Sequence, residues 1–142
     1  MSDPLYKRSL LRLAADAHGA GHIAEAEHHG EAHNPACGDR VRVDVMLADG
    51  RISALAHETR ACVLAQASAA VLGRDAIGAS TAELLALRGQ LLNMLAGNSP
   101  PPERPFAAYG EFAGAADIPG RHRCVLLPLD ALIAALSGAT KA

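Results

Sequence analysis

Apolar positions change period along the chain, and each change marks an element. Leu5, Leu10, Leu11 and Leu13 recur at helical spacing up to about Ala17. Asp3 is a candidate N-cap, Pro4 suits a first turn, and Gly19 and Gly21 would end this helix. Residues 23–33, IAEAEHHGEAH, alternate instead. Glu25, Glu27, His29, Glu31 and His33 would share one face of a strand with a wet side. A clearer strand follows, with Val41, Val43, Val45 and Leu47 on one face and Arg40, Arg42 and Asp44 on the other. Asp49-Gly50 is a strong hairpin signal, and residues 51–58 return as a third strand. The pattern predicts a three-stranded antiparallel meander.

From Ala61 the period turns helical, and Gly73 reads as the residue just past that helix. Ser80 and Glu83 form a capping box before a leucine-rich helix that ends at Gly97, interrupted at Gly89. Residues 98–120 hold Pro100, Pro101, Pro102, Pro105 and Pro119 and read as a long loop, a feature that is often functional. It either covers a site, contacts a partner or is an inert insertion. A last helix follows Cys124, with Pro128 in its first turn. The fold class is α+β: a three-stranded antiparallel sheet with helices packed mainly on one face.

Composition narrows the class. A chain of 142 residues is one domain by size and can bury a core unaided. That core is aliphatic, since the chain has no Trp, two Phe and two Tyr. A net charge of −2 with no basic, aromatic-laced patch argues against nucleic acid as partner. No stretch has the length and apolarity of a membrane span, and the amphipathic start has no signal-peptide core. A cytoplasmic protein is expected. Three cysteines, far apart, fit a thiol or metal role better than a disulfide framework.

Each cysteine stands at an element boundary. Cys37 and Asp39 close the turn before the second strand, Cys62 opens a helix, and Cys124 precedes the last one. Helix starts stabilise thiolate, and Arg60, Arg121, His122 and Arg123 push the same way. If the fold brings these ends together, three thiolates and a carboxylate suit zinc, or iron and sulfide. Singly, each cysteine reads as a small buried hydrophobe. His22, His28, His29 and His33 form a second cluster, in which His29, Glu31 and His33 either chelate from one face or are simply solvated. His57 reads as a lone strand histidine. Phe106, Tyr109 and Phe112 read as anchors of the long loop.

The segments NPACGD, TRACVLAQASAAVLG and RHRCVLLPLDAL resemble the U-type iron–sulfur scaffold family of IscU, SufU and the N-terminal domain of NifU. The likeness runs from about Asn34 to Leu136. The long gap from Cys62 to Cys124 and Arg123 before the third cysteine are most similar to the SufU branch, with 98–120 as its insertion. The resemblance implies a single U-type assembly domain over 1–142. It implies Cys37, Asp39, Cys62 and Cys124 as metal ligands, with Zn2+ bound or, alternatively, a transient [2Fe-2S] cluster held by the three cysteines. It implies Cys37 as persulfide acceptor from a pyridoxal-phosphate cysteine desulfurase of SufS type. A desulfurase histidine would displace Cys37 from zinc, and the freed thiolate would attack the enzyme's persulfide. Such a protein is a sulfur carrier rather than a stand-alone enzyme, and passes sulfur or clusters to apo-proteins. A non-catalytic metal-binding module is the other class. The chain departs from the family pattern at Ala61, where a glycine stands, and at Ala70, where a serine stands.

Overall fold

Alternating valines and a tight Asp-Gly turn build the centre of the molecule. The computed structural model describes residues 7–35 and 38–140, with side chains up to 137. Asp3, Pro4 and Leu5 therefore lie outside the described residues, as does Cys37. Strands β1 (His28–Asn34), β2 (Asp39–Ala48) and β3 (Arg51–Arg60) form an antiparallel sheet in the order β1-β2-β3. Asp49 and Gly50 both take positive φ, 54° and 77°, as a two-residue hairpin turn requires. Val41, Val43 and Val45 are fully buried on one face.

Four α-helices flank the sheet: α1 (Arg8–Asp16), α2 (Val63–Asp75), α3 (Thr81–Leu95) and α4 (His122–Thr140). The α+β arrangement expected from the pattern is present. Helix α4 crosses the valine face directly over Gly30, which pairs with Val43. Helix α2 packs against α1, α4 and β3, and α3 packs against α4. Among the described residues no helix is long and apolar enough to cross a membrane.

Several boundaries differ from the pattern, each for a packing reason. Strand β1 begins at His28, not 23. The alternation in 23–27 continues, but Ile23 N–H is drawn to the buried Asp44 carboxylate (3.1 Å) and Glu25 takes a φ of 58°. Asp44, expected on the wet face, is thereby only 3% exposed. Helix α1 ends on Ala17 in the left-handed region, and residues 19–21 go on to pair with the β3 edge. Helix α2 runs through Gly73 to Asp75. A Cβ at 73 would strike the His18 carbonyl, so this glycine permits a close crossing rather than a stop. Ser80 caps α3 as expected, accepting from Glu83 N–H (3.2 Å). The expected loop holds two 3₁₀ segments, Ala107–Asp117 and Pro119–Arg121, and Phe106, Tyr109 and Phe112 are all buried.

His57 fastens the α1–β1 connection to β3. Its N–H donates to Gly19 O (2.9 Å), and its carbonyl accepts from Gly21 N–H (2.8 Å). Its Nε2 donates to the His18 carbonyl (2.9 Å), which leaves Nδ1 to accept from the Thr59 hydroxyl (2.9 Å). Burial lowers its pKa below the model-peptide 6.5, against the opposing pull of the His18 carbonyl. The folded state thus prefers neutral His57, and this contribution is complete above pH 6.5 and lost as pH falls through the folded value. Thermal unfolding of His57→Gln should therefore depend less on pH than wild type as pH falls below 6.5. Equal slopes would remove His57 from the acid response. The lowered carboxyls of Glu83, held by Arg51, and of Glu111, held by Ser9 and Lys7, act only at lower pH.

Candidate metal centre

Three elements converge at one end of the sheet. Asp39 is the first residue of β2, opposite Asn34 at the end of β1. The turn between them is closed by Gly38 N–H on Asn34 O (2.9 Å), with Gly38 at a φ of 76° that only glycine takes freely. Cys62 is the N-cap of α2. Its side chain makes no cap hydrogen bond, and its sulfur lies instead beside Cys124. Gln66 holds the turn instead, with its N–H on Cys62 O (3.0 Å) and its side-chain amide on Ala61 O (2.9 Å).

Cys124 lies inside the first turn of α4 rather than before it, because the helix already starts at His122. The 3₁₀ turn at Pro119–Arg121 feeds straight into that helix, which carries the cysteine under cover to 3% exposure. Pro128 accordingly falls in the helix interior, not its first turn.

The Asp39 carboxylate and the Cys62 and Cys124 sulfurs all lie within 4.8 Å of one another. The Cys124 thiol donates to Asp39 Oδ2 across 3.9 Å. Cys62 is half-buried, so the group reaches solvent on one side. Two sulfurs and one carboxylate oxygen are donors that zinc accepts in tetrahedral geometry, with room for a fourth. Cys37 stands two residues before Asp39, in the part of the turn outside the described residues.

At Cys124 the electrostatics differ from the expectation of a lowered thiol. Burial pushes the Cys124 thiol up to about 11. The hydrogen bond with neighbouring Cys62 and the Asp39 carboxylate contribute to that rise, and Arg121 pulls the other way through a hydrogen bond. Desolvation, the neighbouring Cys62 thiol and the Asp39 carboxylate outweigh one guanidinium. Cys124 therefore holds its proton at neutral pH. Arg60 and Arg123 are exposed, as a solvated rim, while His122 Nε2 is engaged with Ala116 O (3.2 Å).

The histidine cluster does not assemble. His29, Glu31 and His33 do share the outer face of β1, where each is exposed. Among the described residues, Asp39, Cys62 and Cys124 are the group whose ligand atoms converge. His22 pairs with Glu58 at the surface (2.8 Å). Sequence reasoning singled out Tyr109 as an anchor but missed its partner. The Tyr109 hydroxyl meets Ser68 Oγ at 2.8 Å in the core. The lone serine on the buried side of an alanine-rich helix was the available signal.

Comparison with known proteins places the family and the fold. The family model of the NifU-like N terminal domain matches residues 5–118. The chain is 28% identical over 131 residues to the iron-sulfur cluster assembly scaffold protein IscU of Streptococcus pyogenes serotype M1, covering 87% of this chain and 82% of that protein. Its fold is similar to a nitrogen-fixing NifU-like protein (N-terminal) from Brucella abortus, with a TM-score of 0.93, 34% identity, and 98% and 96% of the two chains covered. It is also similar to a protein described as an iron-sulfur cluster assembly scaffold for the SUF system from Fervidobacterium islandicum AW-1, with a TM-score of 0.85, 25% identity, and 96% and 99% covered. With a family match over most of its length, a shared fold and a Cys-Cys-Asp cluster at the sheet end, the chain belongs to the NifU-like N-terminal domain family.

Proposed function

We propose that this chain is a cytoplasmic iron–sulfur cluster assembly protein of SufU type, acting as a single domain over 1–142. It would take sulfur from a pyridoxal-phosphate cysteine desulfurase of SufS type. The observation that carries the reading is the convergence of Asp39, Cys62 and Cys124 from three separate elements. In this reading Cys37 completes a four-donor set, and zinc is the ion that the donors suit. Bound zinc would keep the thiols deprotonated and shielded until sulfur arrives.

Cys37 is the sulfur acceptor in this proposal. Its thiolate attacks the outer sulfur of the donor's persulfide, the donor S–S bond breaks, and the donor cysteine leaves as thiolate. Cys37 then carries the persulfide, with no net oxidation or reduction. Half-exposed Cys62 and the solvent side of the cluster support access for a partner protein.

A second reading is favoured by the relatives described as scaffolds: the same donors would build a [2Fe-2S] cluster as cargo and pass it to apo-proteins. Native mass spectrometry of protein purified without oxygen, with and without chelator, tests both. About one zinc per chain, lost to the chelator, is the expected result. A metal-free protein that turns stably coloured with iron and sulfide, and loses that colour in Cys62→Ala, would favour the scaffold reading.

A further inference from the structure

The two helix starts that carry the sulfurs are tied together away from the sulfurs themselves. Ser68 lies on α2, six residues beyond Cys62, and is fully buried. Its hydroxyl donates to the carbonyl of Val125 at 2.7 Å. Val125 follows Cys124 in the first turn of α4. The hydroxyl of Tyr109, from the longer 3₁₀ segment, donates to Ser68 Oγ at 2.8 Å and lies 3.3 Å from Ser68 O. Tyr109 is fully buried, and burial raises its phenol, so it stays a donor.

The turn that holds Cys124 has a particular need of this support. Pro128 occupies the position whose N–H would bond the Cys124 carbonyl, so α4 lacks that helical rung. The next carbonyl along is the one that Ser68 holds.

We propose that Ser68 and Tyr109 are positioning residues that form a buried cross-brace between α2 and α4 and so set the separation of the Cys62 and Cys124 sulfurs. The inserted 98–120 segment is then part of the site, because it delivers Tyr109. The inference deepens the metal-site reading and rests on it for its purpose, but the separation itself can be measured without metal.

The probe is phenylarsine oxide, which bridges two nearby thiols. Two As–S bonds form, the arsenic oxygen leaves as water with the two thiol protons, and nothing is oxidised or reduced. In a Cys37→Ser background only Cys62 and Cys124 remain as thiols. This parent should capture one equivalent. Tyr109→Phe, which removes a single oxygen, should weaken capture by roughly tenfold, the scale of one buried hydrogen bond. Ser68→Ala should do the same and serves if Tyr109→Phe does not fold. Leu91→Val, in the core on α3, supplies a control that lowers stability while leaving every hydrogen-bonding group of the brace in place. A merely structural bond would lower stability in all three and capture in none. The brace is overturned if the parent captures nothing, if both variants capture like the parent, or if the control weakens capture equally. Absence of metal in wild type alongside altered capture in the variants would sink the metal reading and leave the brace standing.

Discussion

Gly30→Ala is expected to destabilise the fold by at least about 3 kcal/mol, the upper end of what overpacking a core costs. Gly89→Ala is expected to stabilise it by about 0.5–1 kcal/mol. The substitution is the same and the chain is the same; the surroundings set the sign. A Cβ at Gly30 would lie 2.5 Å from Ala131 O and closer still to Ala135 N, both backbone atoms of α4. Backbone cannot rotate aside as a side chain can, so α4 would have to lift off β1. That would uncover Val43, which shares this face, and displace the helix that bears Cys124. At Gly89, in the middle of α3, a Cβ meets nothing within 4 Å. There the methyl only reduces the conformational freedom of the unfolded chain and improves helix propensity. Urea unfolding of both variants checks the pair, and a Gly30→Ala midpoint equal to wild type would refute the close crossing of α4 over β1.

The same contrast explains what could be read in the chain. The β2–β3 hairpin was legible because both its signals are local: Val41, Val43 and Val45 alternate, and Asp49-Gly50 fixes the turn. The start of β1 was not, because the pattern of 23–27 is as strand-like as that of 28–33. There β2 meets side chains and not backbone: Leu47 N–H donates to Glu27 Oε1, and Ile23 N–H goes to the Asp44 carboxylate. Gly73 resembled a helix end, and its true reason is a neighbour, His18, far away in sequence. Proline density in 98–120 suggested irregular backbone, yet proline at a first turn is compatible with 3₁₀ and α starts, as at Pro119.

The site was legible in its parts and not in its assembly. Each of Asp39, Cys62 and Cys124 sits at an element end with a recognisable signal, but no local rule brings three ends together. That is the work of the meander, which puts Asp39 and the end of β3 at the same edge, with Arg40 opposite Arg60. Helix α4 then returns across β1 and β2 to place Cys124 there. The thiol electrostatics were misjudged for a related reason. The flanking arginines are visible in sequence, whereas the burial of Cys124 and its closeness to Cys62 and Asp39 exist only in the fold.

If the proposed donor set is right, Cys124→Ser is expected to weaken metal binding by at least about 100-fold, since loss of a supporting partner alone costs 10–100-fold and this would remove a ligand outright. The fold should survive, because a hydroxyl nearly fills the space of the thiol and costs only a long sulfur contact to Asp39. The pH dependence should change as well. A Cys124 thiol held up to about 11 by burial must give up its proton when an ion binds. Each proton released makes affinity rise about tenfold per pH unit wherever that group is protonated in the free protein. Wild type should therefore bind zinc more weakly as pH falls from about 8 to about 7, and Cys124→Ser should show a slope smaller by about one proton. Competition against a chromophoric chelator at the two pH values measures both quantities. An affinity unchanged by Cys124→Ser would remove that sulfur from the donor set. A large loss of affinity with the slope intact would mean that Cys124 binds the ion without being the group that gives up the proton.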